Sequence, residues 1–113
     1  MTDRELLELA AKAAGLNVHW GSAWQADIMF REIPRPSIPL VANVEWNPLA
    51  DDGDALRLSV ELRIDIRIND YDTLCYGPII TTHGSAAETH GTDPCAATRR
   101  AIVRAAAEIG RRK

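Results

Sequence analysis

Two His-x-Ser/Thr elements, His83-Gly84-Ser85 and His90-Gly91-Thr92, are the first places in this chain where residue type and spacing could do chemistry. Paired elements of this kind can set two histidines across a phosphate as general acid and base. Here both lie in one short loop, where symmetrical convergence on a substrate is hard to arrange. They read instead as exposed loop histidines. Cys75, His83, His90 and Cys95 offer zinc-type donors, but without the closely spaced ligand pairs that preorganise a tetrahedral site. Asp51-Asp52-Gly53-Asp54 looks like the opening of a calcium loop, yet the regular ligand ladder and terminal glutamate are missing, and helix capping accounts for it better. Phosphate-loop, dinucleotide and G-x-S-x-G signatures are absent. The expectation is a non-enzymatic protein with no catalytic residues, metal or cofactor.

Binding chemistry is better represented. Arg99, Arg100 and Arg104, with Arg111, Arg112 and Lys113 beyond them, make the C-terminal region basic. Spacings of four and seven put Arg100, Arg104 and Arg111 on one helix face, with Arg99 about a quarter turn from Arg100. Guanidinium forks can hold phosphates bidentately; the bland alternative is a solvated face suited to a helix C-terminus. Trp20, Trp24 and Trp46 carry most of the aromatic mass. At least two are expected in the core, and an exposed one would be a stacking platform. The candidate ligand-binding set is therefore Trp20, Trp24, His83, His90, Arg99, Arg100 and Arg104. A second set, Glu45, Asp51, Asp52 and Asp54, is acidic and could meet a protein partner by mimicking a phosphate track.

The elements that must position these residues follow from caps and periodicity. Thr2 and Glu5 have capping-box spacing; Leu6, Leu9, Ala10 and Ala13 form one apolar face; Gly15 ends the first helix. Trp24 to Phe30 alternates as a strand, with Asn17–Trp20 as an earlier piece kinked at Gly21 and Ser22. Prolines make Ile33–Pro39 an extended loop, and Leu40–Trp46 returns as the second strand of a meander. Asp51 or Asp52 caps a second helix that carries Ala55, Leu56, Ser59, Val60 and Leu62, although Leu58 and Val60 also fit strand alternation. Arg63–Ile68 alternates as a one-face-solvated strand, Asn69–Asp72 turns, and Leu74–Thr82 forms the last main strand, with Gly77-Pro78 marking a bulge or an edge position. His83–Thr92 is a loop with room for a brief strand. Asp93, Pro94 and Gly110 bracket the last helix, Pro94–Ile109, buried through Ala97 or Thr98, Ala101, Ile102, Ala105, Ala106 and Ile109.

The fold class is thus α+β: an antiparallel sheet of about four strands packed with three helices in a layered sandwich. The 113 residues suit a single domain, 1–113, which buries roughly two-thirds of the surface of its unfolded chain. No apolar run approaches the ~18–20 residues that span a bilayer, and no cationic-then-apolar leader opens the sequence. The expected location is cytoplasmic, with Cys75 and Cys95 as free thiols. A net charge of -3 argues against direct nucleic-acid binding.

The stretches Thr2–Gly15, Trp46–Leu58 and Asp93–Ala107 are similar to those of small proteins encoded by phages and prophages of Gram-negative bacteria, and the chain resembles the phage ABA-sandwich domain. They cover all three expected helices and somewhat under half the chain. The resemblance implies the layered fold and a phage accessory role in the host cell, and it carries over no catalytic residue. Together with the basic helix and the tryptophans, it leads to the expectation of a counter-defence protein that sequesters a small anionic, nucleotide-type immune signal. A homo-oligomer would help to enclose such a ligand between protomers. The alternatives are an anti-CRISPR-like inhibitor of a host defence complex, acting through the acidic stretch, and a phage accessory protein without a ligand.

Overall fold

In a computed structural model of the protein, which describes residues 1–23, 26–34, 41–78 and 85–113, the first helix, α1 (Asp3–Ala14), starts where the Thr2 hydroxyl accepts from the Glu5 N–H at 3.2 Å. It ends in a Schellman motif: Gly15 sits at φ +69°, its N–H reaches the Lys12 carbonyl, and Leu16 N–H reaches that of Ala11. Sheet A follows as a meander of β1 (Val18–Ala23), β2 (Ala26–Pro34) and β3 (Val41–Glu45), in the order β1-β2-β3. The segment expected as one kinked strand is two: β1 and β2 pair antiparallel, from Ala23 opposite Ala26 to Val18 opposite Arg31. β2 also extends further into the Pro-rich stretch than expected, as far as Pro34, which pairs with Val41. The rest of that stretch, 35–40, lies outside the described residues.

The second helix, α2 (Asp52–Leu62), is capped by Asp51, whose carboxylate accepts from the Asp54 N–H at 2.8 Å. Its buried stripe is Asp54, Ala55, Leu58 and Ser59, whereas Leu56 and Val60 are 60% and 69% exposed. Asp54 sets that rotation by turning inward to accept from the Asn47 N–H at 2.9 Å. Arg63, expected in the following strand, instead ends the helix in the left-handed region at φ 55°, and Ile64 N–H bonds back to the Ser59 carbonyl.

Sheet B then forms from β4 (Asp65–Ile68), β5 (Asp72–Tyr76) and β6 (Ala86–Thr89), antiparallel in the order β4-β5-β6. The turn Asn69–Asp72 is closed by Asn69 N–H to the Asp72 carbonyl at 2.8 Å. β5 stops at Tyr76, ahead of Gly77-Pro78, and the remainder of the stretch expected as strand, 79–82, lies outside the described residues. β6 is the brief strand anticipated in the loop.

The last helix, α3 (Pro94–Arg111), is capped by Asp93, which accepts from Ala96 N–H at 3.0 Å. It lies between α1, α2 and sheet B, so it buries more than one stripe: Val103, Ala107 and Gly110 are inside along with the expected alanines and Ile102. Gly110 does not close the helix but lies within it, where a Cβ would collide with the Leu9 carbonyl. Asp3 meets Arg100, Leu9 meets Gly110 and Ala13 meets Lys113, so α1 and α3 run parallel, side by side. The α+β expectation therefore holds, with six described strands in two small sheets in place of about four in one. Among the described residues, no helix is long and apolar enough to cross a membrane.

Candidate ligand-binding groove

The arginines of α3 divide by direction. Arg99 points towards α2: its Nε donates to the Leu49 carbonyl at 2.9 Å and its Nη1 meets Asp52 at 2.6 Å. With 17% of its side chain exposed, it joins α3 to the start of α2 and leaves little for a ligand. Arg100 and Arg104, one turn apart, reach the other way, to sheet B. Glu88 of β6 accepts from Arg104 Nη1 at 2.8 Å and lies 3.6 Å from Arg100 Nε. Arg100 also meets Asp3 at 2.9 Å, and Arg104 also donates to the Ala87 carbonyl at 2.9 Å. Half-exposed pairs of this kind contribute about 0–1 kcal/mol each, so they orient the guanidiniums more than they stabilise the fold.

Along this side of α3 runs a groove of about 580 Å³, lined by Met1, Ser85, Glu88, Arg100, Arg104 and Arg112 among others. Its size falls within the few hundred to ~1,000 Å³ usual for small-molecule sites. Arg112 is exposed and makes no ion pair among the described residues. A second recess of about 370 Å³ shares Glu88 and Arg100 and adds Asp3, His90, Thr92 and Asp93. Of the ligand set expected from sequence, the fold thus gathers His90, Arg100 and Arg104 at adjoining recesses. Arg99 and Trp20 do not line either of them. Trp24 and His83 lie outside the described residues.

Trp20 on β1 is engaged elsewhere: its Nε1 donates to Glu8 at 3.0 Å and the Arg4 guanidinium covers its ring at 4.4 Å. That cation–π contact fills one face of the proposed stacking platform. His90 is likewise turned inward. Its Nε2 lies 2.8 Å from Thr73 Oγ1, which lies 2.9 Å from Thr98 Oγ1, and Thr73 is completely buried. A hydroxyl without access to solvent is a strut, not a nucleophile. Thr73→Val keeps the shape but strips His90 and Thr98, both half-buried, of a polar partner, and should cost about 1–3 kcal/mol. Urea unfolding measures this; an unchanged midpoint would remove the network from the account of stability.

The acidic set is spent largely on local structure. Asp51 caps α2, Asp52 meets Arg99, and buried Asp54 holds the Asn47 N–H and meets Arg57 at 2.8 Å. Glu45 is exposed at the end of β3. Both cysteines are free: Cys75 is buried, its thiol pushed up to about 11 by desolvation with the Asp65 charge adding to it, and Cys95 is exposed. Glu88 and Arg112 are the groove residues that sequence reasoning passed over. Arg112 was legible only as part of a basic tail, and Glu88 carries no local signal, because its partners arrive from 12 and 16 residues away.

Fold and site together define an α+β domain with a groove between its last helix and a sheet edge, lined by three arginines and by Glu88 and Glu108. No protein-family model matches the chain, and comparison with characterised proteins and with solved structures finds no match.

Proposed function

We propose that the protein is a non-enzymatic phage counter-defence factor that captures a small anionic, nucleotide-type ligand in the groove along α3. The observation that carries this reading is the convergence of Arg100, Arg104 and Arg112 on a cavity of about 580 Å³. Arg100 and Arg104 already grip one oxyanion, the Glu88 carboxylate, in the manner in which they would grip a phosphate. An incoming anion would compete with Glu88 for two of the guanidiniums and meet the exposed Arg112, which makes no ion pair among the described residues. The resemblance of the three helical stretches to phage ABA-sandwich proteins supplies the setting, an intracellular immune signal that a phage gains by removing.

Native mass spectrometry of the protein mixed with cyclic and linear nucleotides tests the reading. A discrete adduct at the mass of the intact ligand is expected; turnover of the ligand would reverse the non-enzymatic part, and bare protein across the panel would end the proposal. Arg112→Ala and Arg104→Ala should each weaken capture about tenfold or more, the worth of a charge-assisted contact. Glu88→Ala should tighten it by freeing the same guanidiniums. The inhibitor alternative is supported less far. Of its carboxylates Asp54 is buried, so a phosphate-mimicking surface would rest on Glu45, Asp51 and Asp52, the last two already partnered.

A further inference from the structure

We infer that the free edge of sheet B is the seam of a homodimer, in which β4 pairs antiparallel with β4 of a second copy about a two-fold axis at Ile66. The two edges of sheet B are unlike. On β6 the Ala87 carbonyl that points away from β5 is taken by Arg104 Nη1 at 2.9 Å. β4 has no strand on its outer side among the described residues. An edge strand of this kind is a template for another strand.

The parity of the ladder says which groups β4 offers. Asn69 N–H bonds to the Asp72 carbonyl, and the register runs from Ile68 opposite Thr73 to Asp65 opposite Tyr76. Hydrogen-bonded and non-hydrogen-bonded pairs alternate in an antiparallel ladder, so Asp65 and Arg67 bond inward to β5. The N–H and C=O of Ile66, and those of Ile68, point outward. An axis at Ile66 makes Ile66 a hydrogen-bonded pair with itself in the second copy, and sets Ile68 against Ile64. Ile64 N–H is already used by Ser59, but its carbonyl can receive the Ile68 N–H.

Charge selects the same register. On the outer face, an axis at Ile66 places Asp65 of each copy opposite Arg67 of the other, giving two cross-strand ion pairs. Moving the axis by one residue sets Asp65 against Asp65 or Arg67 against Arg67, which is repulsive. The inner face agrees. Between α2, β4 and the start of α3 lies an apolar furrow of about 410 Å³, lined by Leu56, Ile66, Ile68, Pro94 and Ile102 among others. Ile68 is 66% exposed at its lip, and a continued sheet would close over it. This seam is on the opposite edge of sheet B from the α3 groove, so its fate and that of the ligand reading are separate.

Sedimentation equilibrium of the tag-free chain from micromolar to submillimolar concentration is the test, with circular dichroism to confirm folding of each variant. The expected species is a dimer of twice the 12.4 kDa chain mass. Arg67→Asp and Asp65→Arg should each weaken it at least about tenfold, because attraction becomes repulsion at two symmetric positions. The double variant D65R/R67D should restore it, and Ile68→Asp should abolish it. A monomeric wild-type protein, an oligomer indifferent to these substitutions, or a double variant that stays dissociated would overturn the inference.

Discussion

Gly110→Val is expected to lose about 3 kcal/mol of stability, lowering the thermal midpoint by roughly 10–20 °C with little change in the denaturant slope. Two opposing effects decide the sign. Glycine within a helix is unfavourable by up to about 1 kcal/mol relative to alanine, so any side chain gains something in propensity. Against this, a Cβ at position 110 would meet the backbone carbonyl of Leu9 and lie 3.3 Å from the Leu9 Cα. Those are main-chain atoms of a packed helix and cannot rotate aside. To relieve the clash, α1 must move off α3, opening the most extensive contact between elements of the fold. Alanine at the same position meets the same collision with its only side-chain carbon, and should lose about 1–2 kcal/mol after the propensity gain. An unchanged midpoint for Gly110→Ala would mean that the two helices are not in backbone contact.

Trp46→Ala should be costlier still, about 3–5 kcal/mol. Trp46 is the largest of the fully buried side chains, at 2% exposure. It stands between β3 and the turn that leads into α2, and its backbone N–H bonds to the Met29 carbonyl of β2 at 2.8 Å. Its removal therefore leaves a cavity where sheet A meets the helices. Trp20, half-buried and tied to Glu8, gives a comparison on the same chromophore. Urea unfolding of the two alanine variants should rank Trp46 well above Trp20. The reverse order would contradict the assignment of the core.

How much of this was legible depends on the range of the interaction. Caps are local, and Thr2, Asp51 and the Asp93-Pro94 pair each mark a helix start seen in the fold. Period-two alternation is local too, and it located β4 and the first half of β2, but not the hairpin that separates β1 from β2. Alternation does not say which strand pairs with which, and so the division into two sheets had no sequence signal. Gly110 shows the limit sharply. A glycine before Arg111-Arg112 carries the same pattern whether it ends a helix or admits a neighbouring backbone, and only the partner helix decides. Arg63 in the left-handed region is a similar case, since glycine or asparagine is the usual occupant. At the site, the shared face of Arg100 and Arg104 follows from helix geometry. The turning of Arg99 towards Leu49 and Asp52 follows from tertiary packing 47 and 50 residues away.

The parallel pairing of α1 with α3 also bears on how the chain reaches its fold. Two polar ties between them, Asp3 to Arg100 and Ala13 to Lys113, span 97 and 100 residues. A growing polypeptide that has emerged only as far as sheet B still lacks the helix against which α1 makes its most extensive contact. The central packing is therefore a late event, waiting on synthesis of the final helix. Closing so long a loop adds only logarithmically to the entropy cost, but non-local contacts of this span slow the search itself. A ribosome-bound intermediate with α1 uncovered is the state in which this protein would need a chaperone most.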